Sequence, residues 1–136
     1  MLGRAHAALA LAHARRGERC VLLSGGETTV TVRGPGRGGR NTEYLLALFQ
    51  ALGGESRIAA LAADTDGLDG SGDSAGAFFD ATARARSQAR GLEAAAYLAA
   101  NDSHAFFATL GTLIHTGPTR TNVNDFRAIL VDAAPR

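Results

Sequence analysis

Residues 24–43, SGGETTVTVRGPGRGGRNTE, hold the densest chemistry in the chain. Gly34, Gly36, Gly38 and Gly39 fall within six positions, and Arg33, Arg37 and Arg40 are interleaved with them. Glycine lets backbone N–H groups come close to an anion. A helix opening at Arg40–Asn41 adds unpaired N–H donors and the positive end of its dipole. Together they ask for a phosphate or a carboxylate. Two known patterns fall on the stretch, both imperfect. Gly34, Gly36 and Gly39 satisfy G-x-G-x-x-G between a strand and a helix, with Asp64 only roughly at the expected acidic position. Gly34 to Asn41 nearly spells a P-loop, with Arg40 and Asn41 in place of lysine and the hydroxyl residue. A flexible hairpin-to-helix connection would explain the glycines, but not three arginines among them.

A second constellation is Asp64, Asp66, Asp69 and Asp73, just past an apolar run, Ile58–Ala63. Open α/β sheets place ligands beyond the carboxyl ends of their strands. Clustered carboxylates there can hold magnesium, with Asp66 and Asp69 the candidates, or accept hydrogen bonds from substrate hydroxyls. Asx turns explain the same residues structurally; both readings stay open, with function favoured for Asp66. A third group, Asn122, Asn124 and Asp125, ends the run TGPTRTNVND and suits a polyol or carboxylate. Asp102, Ser103 and His104 are neighbours and cannot form a Ser–His–Asp site; Ser103 and His104 open a helix.

The elements that must position these groups follow from periodicity. Residues 2–16 read as an alanine-rich helix stopped by Gly17, with His6 and His13 on its surface. Val21–Leu23 is a short buried strand and Thr28–Arg33 a half-buried one. Asn41 caps a helix whose Tyr44, Leu45, Leu48 and Leu52 recur at helical spacing up to Gly53-Gly54. Ile58–Ala63 is a strand, and Ala77–Phe79 either a strand or a helical turn. Helices follow at Thr82–Arg90, Leu92–Ala100 and Ser103–Leu110, then strands at Leu113–His115 and Phe126–Val131. The alternation predicts a single α/β domain with a mixed, largely parallel sheet and flanking helices.

The 136 residues suit one domain with a core of its own. A net charge of +1 excludes a strongly basic nucleic-acid binder. All fourteen basic residues are arginine, so chemistry that needs a lysine must draw it from another domain or subunit. Cys20, the single cysteine, fits a reducing compartment and reads as a buried, inert thiol. Leu2 to Leu11 is too short and too interrupted for a signal peptide. No run approaches the roughly 20 apolar residues of a membrane span. The expectation is a cytoplasmic protein that binds neither membrane nor nucleic acid, with self-association left open.

Four stretches in order, LSGGETTVTVRGPGRGGRNTE, TDGLDG with Asp73 and Ala75-Gly76 beyond it, NDSHAFF, and TGPTRTNVND, resemble the MOFRL domain. This is the C-terminal domain of class II glycerate kinases, which are often named hydroxypyruvate reductases. The resemblance runs from about Cys20 to Val131. It implies phosphoryl transfer from ATP to D-glycerate with magnesium, in a cleft shared with a larger upstream Rossmann-like domain that supplies the catalytic lysine. By resemblance Ser24, Gly25, Gly26 and Glu27 line that cleft; Gly38, Gly39 and Asn41 are the phosphate- or substrate-binding candidates of the glycine loop and helix start. Arg40 steadies the substrate carboxylate or the transferring phosphoryl, and Asp66, Asn122, Asn124 and Asp125 complete the pocket. The sequence departs from the family pattern at Thr42, usually glutamine, and at Asp64 and Arg120, usually glycine.

The expectation is therefore a helix left from a missing upstream domain at 1–17 and a MOFRL-like domain at 18–136, inactive in isolation. The alternatives are an NAD(P)H-dependent hydroxypyruvate reductase and a stand-alone anion-binding module.

Overall fold

The computed structural model describes residues 2–26, 34, 36–70 and 74–132. Glu27, the strand expected at Thr28–Arg33, and Asp73 lie outside the described residues.

The chain opens with helix α1 (Leu2–Arg15), whose buried stripe is Gly3, Ala7, Ala10 and Ala14. Small residues let it lie close on α2 (Arg40–Leu52): a Cβ on Gly3 would meet the Tyr44 carbonyl oxygen at 2.8 Å. Gly17, at φ +69°, ends α1 by returning its N–H to the Ala14 carbonyl. His6 is not the surface residue the alanine-rich pattern suggests. It is half-buried, with Nδ1 2.6 Å from the Tyr44 hydroxyl, while His13 meets Glu18 at the surface. Cys20 is likewise half-buried rather than fully enclosed.

Between α1 and α2 runs β1 (Cys20–Gly26), and after α2 come β2 (Ile58–Asp64) and β3 (Gly76–Phe79). Three short helices follow, α3 (Ala83–Ala89), α4 (Ala94–Ala99) and α5 (Ser103–Leu110), then β4 (Leu113–Ile114) and β5 (Asp125–Val131). The strand order is β1-β5-β2-β3-β4. Ala77–Phe79 is thus a strand: Gly76 lies so close to Ala62 that no side chain fits there.

The expected largely parallel sheet is overturned. Every described strand pair is antiparallel. The reason lies in one insertion. The β1–α2–β2 crossover does run β1 and β2 in the same direction, as the alternation of elements implied. But β5, returning from the far end of the chain, occupies the gap between them and pairs with both in the opposite sense. The β2–β3 connection carries no helix in its described part, so those strands fold back as neighbours.

Among the described helices α1, α2 and α5 pack on the sheet, and α3 and α4 join them through α5 and α2; α2 is buried on nearly every face. Leu45, Leu46 and Leu48 of α2 meet Phe106, Phe107 and Leu110 of α5 and Ile58, Ile129 and Val131 of the sheet. Phe49 sits edge-on to Phe79 with ring centroids 5.2 Å apart. This core fixes the N-terminus of α2 against the ends of β1, β2 and β5, where the candidate residues collect.

Candidate functional site

The N-terminus of α2 does bind an anion, and that anion is part of the chain. Asp69 Oδ1 accepts from the Asn41 backbone N–H at 3.0 Å, and Oδ2 from the Thr42 N–H at 3.0 Å. A Cβ on Gly39 would overlap this carboxylate, so the glycine is required for its close approach. The rest of the glycine loop is tied to the α4–α5 junction. Gly34 N–H donates to Asn101 Oδ1, Gly36 N–H to the Ala100 carbonyl and Arg37 N–H to Asp102 Oδ1. Gly38 leaves no room for a side chain beside Ser103, whose hydroxyl donates to Thr42 Oγ1. The cradle expected for a phosphate is therefore largely occupied by protein groups, and Gly38 and Gly39 serve close packing. Asp69 is a helix cap: each of its oxygens accepts a backbone N–H of α2.

One residue further on, Arg40 turns toward the sheet. Its Nε donates to both oxygens of Asp125, at 2.9 and 2.8 Å, and Nη2 to Asp64 Oδ2 at 2.6 Å. The two carboxylates have 0% and 5% of their side chains exposed, while 26% of the Arg40 side chain remains open. Asn41 Nδ2 bridges Asp69 and Asp125, linking the cap to the ion pairs. Burial, and the Asp66 carboxylate beside it, push the Asp64 carboxyl above the ordinary range, against the opposing pull of Arg40. Asp66 is half-buried in the turn after β2, where its Oδ1 receives the Leu68 N–H.

Arg127, not among the residues singled out from the sequence, is 3% exposed yet charged. Its Nε donates to Ser24 Oγ at 3.0 Å and its Nη2 to the Gly25 carbonyl, while Nη1 stands 3.6 Å from Asp125. The guanidinium also lies over the Tyr44 ring, 5.3 Å from its centroid. A signal was available. In DFRAILV the residues at Asp125, Arg127, Ile129 and Val131 share the buried face, so an arginine stands in phase with the core.

The structure thus gathers Ser24, Gly25, Arg40, Asn41, Asp64, Asp66 and Asp125 at one end of the sheet. Gly26 and Asn124 form an isolated bridge at the same end. Asn124 adopts φ +66°, and its carbonyl accepts from both the Thr65 N–H and hydroxyl. Asn122 is exposed; its Oδ1 takes the Asn124 N–H in an Asx turn. Glu27 lies outside the described residues. Among the described residues no three His, Cys, Asp or Glu side chains are grouped as a ready-made metal site, and no helix is long and apolar enough to cross a membrane.

The model of the MOFRL family matches residues 20–125. The chain belongs to the MOFRL family. A protein from Agrobacterium vitis whose provisional name is hydroxypyruvate reductase is 48% identical over 96% of the chain, which covers 31% of that protein. The glycerate kinase of Homo sapiens is 44% identical over 81% of the chain and 22% of its own length. The crystal structure of a glycerate kinase from Thermotoga maritima superposes with a TM-score of 0.87 at 38% identity, covering 95% of the chain and 32% of the solved one. The chain thus spans about a third or less of the length of these relatives.

Proposed function

We propose that this chain is the C-terminal domain of a glycerate kinase that transfers a phosphoryl group from ATP to D-glycerate. The observation that carries the reading is the Arg40 network. A guanidinium held by Asp64 and Asp125 at the end of the sheet is a preorganised cation in a MOFRL chain whose relatives include named glycerate kinases. Phosphoryl transfer depends mainly on positioning and on opposing the charge of the transfer state. Arg40 would grip the glycerate carboxylate or the migrating phosphoryl. Arg127, through Ser24 and Gly25, holds in place the strand end on which the substrate rests. Asn122 and Asn124 offer short polar groups to the substrate hydroxyls.

Magnesium suits the residues present. The donors are carboxylate oxygens, which hard cations prefer, and Asp66 beside the buried Asp64 leaves negative charge that a cation would relieve. Asp66 would hold it. When bound, the ion screens the phosphate oxygens of the nucleotide. The upstream part of the longer protein would supply the nucleotide-facing wall and the lysine that this chain lacks.

The reductase reading draws on the name of the Agrobacterium vitis relative. It loses ground because the G-x-G-x-x-G stretch is tied to Asp69 and to the α4–α5 junction rather than left open for a dinucleotide. The test joins residues 2–132 to the upstream two thirds of the Thermotoga maritima glycerate kinase. Glycerate-dependent ADP release by the joined polypeptide, and none by the 136-residue chain, is expected. NADH oxidation with hydroxypyruvate and no ADP release would overturn the proposal.

A further inference from the structure

The helices cover one side of the sheet; among the described residues nothing packs on the other. Val21 (55% exposed), Leu23 (66%), Phe126 (44%), Leu130 (45%) and Phe78 (37%) all project from it. The register makes them one surface. Leu130 lies opposite both Val21 and Ala59, Ala128 opposite Leu23 and Leu61, and Leu61 opposite Phe78. The small residues Ala59, Ala63 and Ala128 form a floor between the larger ones. No position on this face of β1, β5, β2 or β3 carries a charge.

An antiparallel sheet that faces water alternates apolar with polar residues. Here the segments CVLL and IAALAA, and the AILV end of β5, are apolar on both faces, the pattern of strands buried on two sides. A contiguous apolar surface of this kind marks an interaction site. What covers it follows from length and position. The relatives carry about two thirds of their length outside the matched stretch, and the matched third keeps the same fold at a TM-score of 0.87. The face ends across the sheet from the site: Phe126 directly follows Asp125, whose side chain points to the helix-covered side and pairs with Arg40.

We propose that the upstream region of the same longer polypeptide lays apolar helices on this bare face, completing a three-layer α/β/α domain. The occupant is apolar and in cis. A helix seated on the alanine floor between Leu23, Leu130 and Phe78 would back the strand ends that carry the Arg40 partners Asp64 and Asp125. The inference rests on the reading that the chain is one part of a longer protein, but not on the reaction that protein catalyses.

Hydroxyl-radical footprinting read by mass spectrometry tests it without substitutions. In the 136-residue chain, Leu23, Phe78, Phe126 and Leu130 should oxidise readily at every protein concentration. In the joined polypeptide their oxidation should slow about tenfold, as expected when half-exposed side chains become buried ones, while Leu9 on α1 stays unchanged. Equal oxidation in the two forms overturns the proposal. So does protection that grows with concentration in the 136-residue chain, which would make the face an interface between copies. If the joined polypeptide does not fold, the upstream region added as a separate chain should give the same protection, and its failure to do so counts against the proposal. Protection without kinase activity would defeat the proposed reaction and leave this inference standing.

Discussion

At the scale of single residues, two carboxylates do different work within a few ångströms. Asp69 neutralises the N-terminus of α2 and satisfies two backbone N–H groups that would otherwise be buried without partners. Asp69→Ala should destabilise the chain by about 2 kcal/mol, the upper part of the range for a lost helix cap; urea denaturation measures it. Asp125 has no exposed side-chain surface and depends on Arg40 for its charge balance, with Arg127 more distant at 3.6 Å. Arg40→Gln should cost about 3 kcal/mol in the same measurement, the low end for breaking a buried pair because a quarter of Arg40 stays in water. A loss no larger than that of an ordinary surface substitution would mean the network does not hold the site together. The residue types of this centre were legible in the sequence: arginine and asparagine at a helix start, aspartates at strand ends. Their pairing was not. Whether an arginine meets a substrate or an internal carboxylate depends on contacts 24 and 85 positions away along the chain.

At the scale of elements, α2 links the site to the core. Glu43 in its first turn is half-buried. Burial first, then repulsion from Asp102 and Asp69, raise its carboxyl above the ordinary 4.5, while Asn101 pulls the other way. A carboxyl raised on folding adds stability that is fully present below its unfolded value and is lost as pH rises through the folded one. Glu43→Gln should therefore raise the melting temperature at pH 7, with the gap closing by about pH 4; a gap constant across that range would contradict this origin. On the opposite face, the Tyr44 hydroxyl joins α2 to α1 through His6. Burial, then the charge of Arg127, hold His6 below its usual value, so it is neutral near pH 7. Tyr44→Phe should lose about 1 kcal/mol, one partly buried hydrogen bond, by chemical denaturation at pH 7. Helical periodicity found α2 and α5 because their apolar spacing is regular. It misjudged His6 because alanine on both sides gives no clue to which face is buried.

At the scale of the whole molecule, the order of helices and strands was readable, and the direction of the sheet was not. Each strand's apolar run and each glycine stop is local information. The insertion of β5 between β1 and β2 depends on pairings across more than 60 positions, which periodicity cannot carry. The same runs did carry something the domain alone leaves unexplained, strands apolar on both faces of a sheet covered on one. The site is likewise one-sided, with Arg40, Asp66 and the Asn122–Asp125 turn on a domain a third the length of its solved relative.

We propose that Arg40, held by Asp64 and Asp125, grips an anionic ligand. Calorimetry on the joined polypeptide tests it, using glycerate and phosphoglycerate against the wild-type sequence and Arg40→Lys, which keeps the charge and loses the planar fork. Binding should weaken by about 1.5–3 kcal/mol, the worth of a charge-assisted hydrogen bond, in a variant whose circular dichroism is unchanged. Undiminished affinity in that folded variant would contradict it.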